Sequence, residues 1–327
     1  MKTICVIGLA AAVLTAGLLL VWKAHDSSVR NTAPVAPQLA AMPKQSEAQY
    51  QASREPPAPS LGAGTLAEPN QRAAEQSEWQ TIESLLAQPH HRPLMREVPR
   101  LKQQSEARLV DLYHRLQGIT NKQHIVRILA FGGDSAAAAT LIKAVTDEYS
   151  GQAVSIEGHA ILLYIPELLG VLARHNQEAF EFLLAGSRRE FWSAIQLWRY
   201  EDGKDVNACS VVGACIKGLA LSGRDEARDL IEWYRAHPDE VSVVRENGSI
   251  ADQFDGAVVD AVFRIRTVLE RGLESAMDKV FYDPEQSLRE FRKWIGTSEG
   301  QGWYKWALGT QDAARARFRE SGKNTVE

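Results

Sequence analysis

The pattern of apolar and polar residues changes character twice along the chain. Residues 4–22 read ICVIGLAAAVLTAGLLLVW, an uncharged apolar run. Residues 23–76 carry no periodicity. From about Ser77 onward apolar residues return at helical spacing. Leu109, Leu112, Tyr113 and Leu116 fall at i, i+3, i+4 and i+7, and Ala227, Leu230, Ile231 and Tyr234 repeat that spacing. Val258, Val262, Ile265 and Leu269 form a similar stripe, widened by Val259 and Phe263. Each set marks one buried face of a helix. Asp283-Pro284-Glu285-Gln286 predicts a helix start, with Asp as N-cap, Pro at N1 and Gln at N3. Short Gly-, Asn-, Asp- or Pro-bearing joints separate the helical stretches, including Gly132-Gly133-Asp134, Gly186-Ser187, Ser222-Gly223, His237-Pro238, Gly296 and Gly300–Gly302. Joints this short place successive helices antiparallel. No alternating strand pattern is convincing.

The apolar run is close to the ~20 residues that cross a ~30 Å hydrocarbon layer. Lys2 precedes it, Lys23 follows it, and Trp22 stands at its edge, where an indole favours the headgroup zone. A cleaved signal peptide would have an apolar core of about 7–15 residues and then a small-residue cleavage site. Here the nearest such site, Thr15-Ala16-Gly17, is followed by five more apolar residues, Leu18 to Trp22. The reading is therefore an uncleaved single-pass anchor over residues 1–22. Positive charge is nearly balanced across the run, with Lys2 on one side and Lys23 and Arg30 on the other. A two-residue tail gives no reason to cross first, so the expectation is a soluble domain outside the cytoplasm, in the periplasm of a bacterium.

Residues 23–76 hold seven of the thirteen prolines and, after Trp22, a single aromatic, Tyr50. Such composition cannot bury enough apolar area to offset the entropy of ordering it. The expectation is a disordered Pro/Ala/Gln-rich linker. As a flexible coil its mean reach is about 40 Å, and as polyproline II it approaches roughly 170 Å.

Within the helical part, residues 77–327, an internal repeat is visible. Leu129-Ala130-Phe131-Gly132-Gly133 matches Leu172-Ala173-Arg174-His175-Asn176 and Leu219-Ala220-Leu221-Ser222-Gly223. Each copy reads Leu-Ala-x-x-(Gly/Asn), an ending that suits a left-handed C-cap. An alanine follows (Ala137, Ala179, Ala227) and then an apolar pair (Leu141-Ile142, Leu183-Leu184, Leu230-Ile231). A fourth, looser copy is Leu269–Gly272 with Ala276. Spacings of 43 (129 to 172) and 47 (172 to 219) fit two helices per unit. In that period, and in the proline inside Pro166-Glu167-Leu168-Leu169-Gly170-Val171-Leu172, the chain resembles HEAT-type repeats over roughly residues 104–280. The valine–arginine pair common in HEAT units is missing from all three copies. The resemblance implies an all-α fold, a right-handed α-α superhelix of HEAT-like helix pairs. An irregular α-helical bundle is the competing arrangement.

Composition adds little chemistry. The formal net charge is -4, which disfavours nucleic acid as partner. The eight histidines form no His-x-x-x-His, and there is no Cys-x-x-Cys, so no metal site is expected. Cys209 and Cys215 lie six apart on a stretch read as helical, roughly 9 Å along its axis, too far for a disulfide. No nucleotide loop and no nucleophile elbow occur, so no catalytic residue and no cofactor is expected. Six of the eight tryptophans follow residue 190. Trp294, Trp303, Tyr304 and Trp306 are the candidate partner-binding residues, against the alternative that they cap the core of the last repeat.

These observations predict a membrane-tethered protein–protein interaction module whose protein partner the sequence does not name. Two alternatives stay open. One is an envelope enzyme or enzyme subunit, for which Glu157, His159 or Asp205 would converge in a pocket. The other is a self-assembling structural envelope protein.

Overall fold

The computed structural model describes residues 69–88, 91–116, 118–148, 153–154, 156–188, 191–192, 199–200, 208–237 and 254–323. The apolar run 4–22 and residues 23–68 of the expected linker lie outside the described residues, whereas its last eight residues, 69–76, are helical and open the first helix, Pro69–Leu86. No helix among the described residues is long and apolar enough to cross a membrane. Internal contacts divide the chain into Met1–Arg72 and Ala73–Glu327, and the helical fold belongs to the second unit.

The described residues are all-helical apart from one two-residue parallel ladder, in which Ala153 pairs with Arg199 and Val154 with Tyr200. The helices are α1 (Pro69–Leu86), α2 (Gln103–Arg115), α3 (Ile119–Gly132), α4 (Ser135–Lys143), α5 (Ile156–Leu172) and α6 (Gln177–Gly186). They continue with α7 (Ala208–Ser222), α8 (Asp225–Ala236), α9 (Phe254–Arg271), α10 (Leu273–Ser275), α11 (Pro284–Ile295) and α12 (Ser298–Lys323). A short 3₁₀ turn, Met95–Glu97, precedes α2, and α4 and α10 run on into π-helical turns, Ala144–Glu148 and Ala276–Phe281.

The odd-numbered helices α3, α5, α7 and α9 pack side by side in that order. Helices α4 and α6 touch each other and pack against that row, and α8 lies against α7 and α9. Neighbours at i and i+2 are what stacked helix pairs produce, so the arrangement is compatible with a helical repeat.

The tightest joint is between α5 and α7. A Cβ built on Gly170 would overlap the carbonyl oxygen of Gly218, and one built on Gly218 would overlap that of Pro166. Only glycine lets these two backbones approach so closely. Around the joint Leu162, Ile165, Leu169, Leu172, Leu219 and Ala220 are buried.

Borrowed caps order the helix starts. Glu78 on α1 accepts from the amide of Lys102, the N-cap of α2, at 2.9 Å. Glu106 on α2, only 4% exposed, accepts from the amides of Asp134 and Ala137 at the start of α4. Asn176 caps α6 by accepting from Ala179 N at 2.9 Å. At the next joint Arg224 bonds Gln177 and lies 4.3 Å over the Phe180 ring, linking the start of α8 to that of α6. Each cap satisfies amide donors that a helix start cannot pair internally.

The repeat's Leu-Ala pairs are core: Leu129, Ala130, Leu172, Ala173, Leu219 and Ala220 are at most 1% exposed. The expectation for the residue that ends each copy divides. Gly223 (φ +65°) and Gly272 (φ +75°) take the left-handed conformation. Gly133 does not (φ -79°): it leaves α3 in extended geometry and leads directly into Asp134, the N-cap of α4. Asn176 also stays extended (φ -110°), because it opens the next helix rather than closing the last. The α9 stripe needs one correction. Leu269 is 58% exposed, and Val268 takes the core position. At 100° per residue Leu269 is still in phase with Val258, Val262 and Ile265, so its exposure goes with its place in the last turn of α9 and not with rotation off the face.

Helix α7 runs unbroken across positions 209 and 215, and Cys215 is free and buried. Burial pushes the Cys215 thiol far up, which makes it inert near neutral pH.

Candidate functional site

The row of odd helices carries a set of polar side chains that meet across helices. On α3, His124, Arg127 and Phe131 follow the i, i+3, i+7 spacing of one face. Tyr164 and Glu167 come from α5, Lys217 from α7, and Asp260 and Arg264 from α9. Arg264 is bifurcated: its Nε donates to Asp260 Oδ2 and its Nη1 to Glu167 Oε1, both at 2.8 Å. Lys217 Nζ stands 3.6 Å from Asp260 Oδ2. Side chains of α5 and α9 therefore meet across the intervening α7. Burial raises the Asp260 carboxyl, but the Arg264 and Lys217 charges outweigh it and hold the group below the usual carboxylate range. Glu167 and Asp260 in turn hold the Arg264 guanidinium charged despite its burial. This network is satisfied and fastens three helices.

Arg127 is different. It is 6% exposed, and its guanidinium carbon lies 3.4 Å over the Tyr282 ring, 5.6 Å from that of Tyr164 and 5.9 Å from that of Phe131. Among the described residues no carboxylate pairs with it, and its Nε has no hydrogen-bond partner. The Tyr164 hydroxyl and His124 Nδ1 are also buried without a partner. Burial lowers the Arg127 pKa to about 10 and raises that of Tyr164 to about 12. At neutral pH Arg127 is thus a cation and Tyr164 a hydroxyl donor. An unpaired buried ion costs several kcal/mol, of which a desolvated cation–π contact returns about 2 kcal/mol.

A strap covers this region. Tyr282 donates to Pro93 O at 2.7 Å, Met95 N donates to Asp278 Oδ1 at 2.8 Å, and Arg96 pairs with Asp278 Oδ2 at 3.3 Å. These bonds tie residues 93–96 to the π turn that follows α10 and to Tyr282, the residue after it. Within the strap Glu97 accepts from Leu94 N and from His91. Burial pushes the Glu97 carboxyl up, yet those two bonds bring it below its ordinary value.

The four aromatic residues singled out by the sequence do not share one surface. Trp294 and Trp303 are each 3% exposed. Trp294 packs on Phe263 and Phe291. Trp303 lies under Arg235 and edge-on to Trp306, whose Nε1 donates to Arg235 O at 3.0 Å. Only Tyr304 presents a largely open ring, at 46%, with Leu308 one turn on at 43%. Of the residues named for an enzyme site, Asp205 lies outside the described residues, as does the side chain of Glu157. His159 is half-buried on α5, with its pKa lowered by burial. Among the described residues no three His, Cys, Asp or Glu side chains gather as metal ligands.

The Arg127 cluster was not picked out from the sequence, although a signal was there. A single arginine interrupts the apolar stretch Ile125-Val126-Arg127-Ile128-Leu129, and an arginine inside such a stretch is seldom fully buried unless paired.

Comparison with protein-family models, with curated proteins and with solved structures finds no match to this chain.

Proposed function

We propose that the chain is a membrane-tethered protein–protein interaction module, with residues 4–22 as its anchor, residues 23–68 as its spacer and a HEAT-like helical array as its binding part. The support is architectural. Helix pairs stacked in rows present long continuous faces, which such arrays use for extended partner contacts. The observation that carries the reading is the exposed pair Tyr304 and Leu308. They are 46% and 43% open, one turn apart on α12, beside tryptophans that are consumed by the core. An aromatic held on a rigid helix is the kind of side chain that anchors interfaces. The anchor's uncleaved character and an extracytoplasmic domain belong to the same proposal, and rest on the length and flanks of the apolar run.

Photo-crosslinking in intact membranes tests it. A photoreactive amino acid replacing Tyr304 in the full chain is expected to give a discrete adduct with another protein. The same group at exposed Arg289 on α11 is the control. An absence of adducts from position 304, or equal adducts from both positions, contradicts the reading.

A further inference from the structure

We infer that Arg127, Tyr164 and His124 form a binding site for a carboxylate group. The inference is independent of the interaction-module reading. Three polar groups on two adjacent helices are buried, and each leaves an atom without a partner: Arg127 Nε, Tyr164 Oη and His124 Nδ1. All three can present a hydrogen to an acceptor, the imidazole in its Nδ1–H tautomer. Arg127 is more than nine-tenths buried and cannot shed its charge near neutral pH. Among the described residues the arrangement therefore has a cation and donors but no anion bonded to them.

The carboxylates nearest in effect are committed elsewhere. Glu167 is bonded to Arg264, and Asp278 to Met95 N and Arg96. Both act electrostatically on Arg127, so a dianion such as phosphate would meet two negative charges beside its one buried cation. A planar monoanion suits the site better. A guanidinium whose face is covered by Tyr282 at 3.4 Å offers its edge, and the edge is what a carboxylate grips. Arg92, exposed on the strap, adds a second positive charge that is felt at His124, Arg127 and Tyr164 alike. The ligand class is a carboxylate carried either by a small organic acid or by the C-terminus of a peptide.

Thermal unfolding of the detergent-purified full chain, followed by circular dichroism, tests the site. The probes are sodium acetate, the tripeptide N-acetyl-Ala-Ala-Ala with a free C-terminus, and the same tripeptide as its C-terminal amide. Ionic strength is held constant with sodium chloride. A ligand that binds only the folded state raises Tm with its concentration. Acetate or the free-acid tripeptide, but not the amide, is expected to raise Tm. A response to acetate that the free-acid tripeptide does not exceed assigns the site to small acids, and a response to the tripeptide alone assigns it to peptide C-termini. Tyr164→Phe, which keeps the ring and removes one donor, is expected to weaken the response about tenfold, the effect of losing one hydrogen bond to a charged group. Arg127→Met is expected to abolish it. No response to either carboxylate, a chloride response as large as that to acetate, or an undiminished response in Tyr164→Phe would overturn the assignment.

Discussion

Glu106 illustrates how single side chains order this domain. It is 4% exposed, yet its partners are backbone amides, those of Asp134 and Ala137 at the start of α4. Glu106→Ala should destabilise the chain by about 1–2 kcal/mol in urea unfolding, the range for a lost helix cap with a buried amide left unpaired. Glu106→Gln, which keeps an acceptor, should cost less, and equal losses would contradict the capping role. Asp260 makes a second prediction. Its folded pKa is depressed, so the stability it contributes is present above its unfolded value of about 3.9 and is lost as pH falls through the folded value. Asp260→Asn should lower stability at pH 7 and flatten the acid limb of the stability–pH curve. An unchanged acid limb would show that the Arg264 network does not set it. At this scale the sequence was partly readable. Asp283 caps α11 through Glu285 N and Gln286 N, as its Asp-Pro-x-Gln context predicts. Glu106 was not readable, and Arg127 showed only as an arginine inside an apolar stretch, because their roles depend on partners that local periodicity does not encode.

Between elements, the contact of α5 with α7 depends on the absence of two Cβ atoms. Gly170→Ala and Gly218→Ala each drive a methyl group into a backbone carbonyl. Each should cost about 2–3 kcal/mol, the upper part of the overpacking range, and lower Tm by about 4–12 °C for a domain of this size. Gly256→Ala is the control, since a Cβ there meets nothing within 4 Å. A Gly218→Ala protein as stable as that control would mean that the two helices can slide apart. The C-terminal aromatics make a matching contrast. Trp303→Ala should destabilise by about 3–5 kcal/mol, whereas Tyr304→Ser should change stability by less than about 0.5 kcal/mol, both by urea unfolding. Most helices of the described region were legible from apolar spacing, since Leu109, Tyr113, Ala227, Ile231 and Val258 are all buried where the stripes place them. The division among the C-terminal aromatics was not, because Trp303 and Tyr304 are neighbours in sequence and burial depends on what packs against α12.

For the whole domain, three histidines link stability to pH. Burial lowers the pKa of His124, His159 and His175, aided by nearby arginines at His124 and His175. A lowered histidine pKa means that the unfolded chain binds more protons as pH falls, so stability declines once pH drops below about 6.5. Tm at pH 5.5 should lie below Tm at pH 7.5, and replacing all three histidines with glutamine should shrink the difference. An equal Tm at both pH values would show that these groups are protonated alike in the folded and unfolded chain. The stacking of α3, α5, α7 and α9 was legible from the Leu-Ala repeat, whose copies end those very helices. The strap of residues 93–96 on the π turn was not, since it joins segments more than 180 residues apart. The most direct test of the interaction module is affinity capture of the tagged full chain from crosslinked membranes, beside a chain lacking residues 77–327. A reproducible protein partner, lost with that deletion and bound again when the two purified proteins are mixed, is the predicted result. A deletion chain that captures the same proteins, or a full chain that captures none, contradicts it.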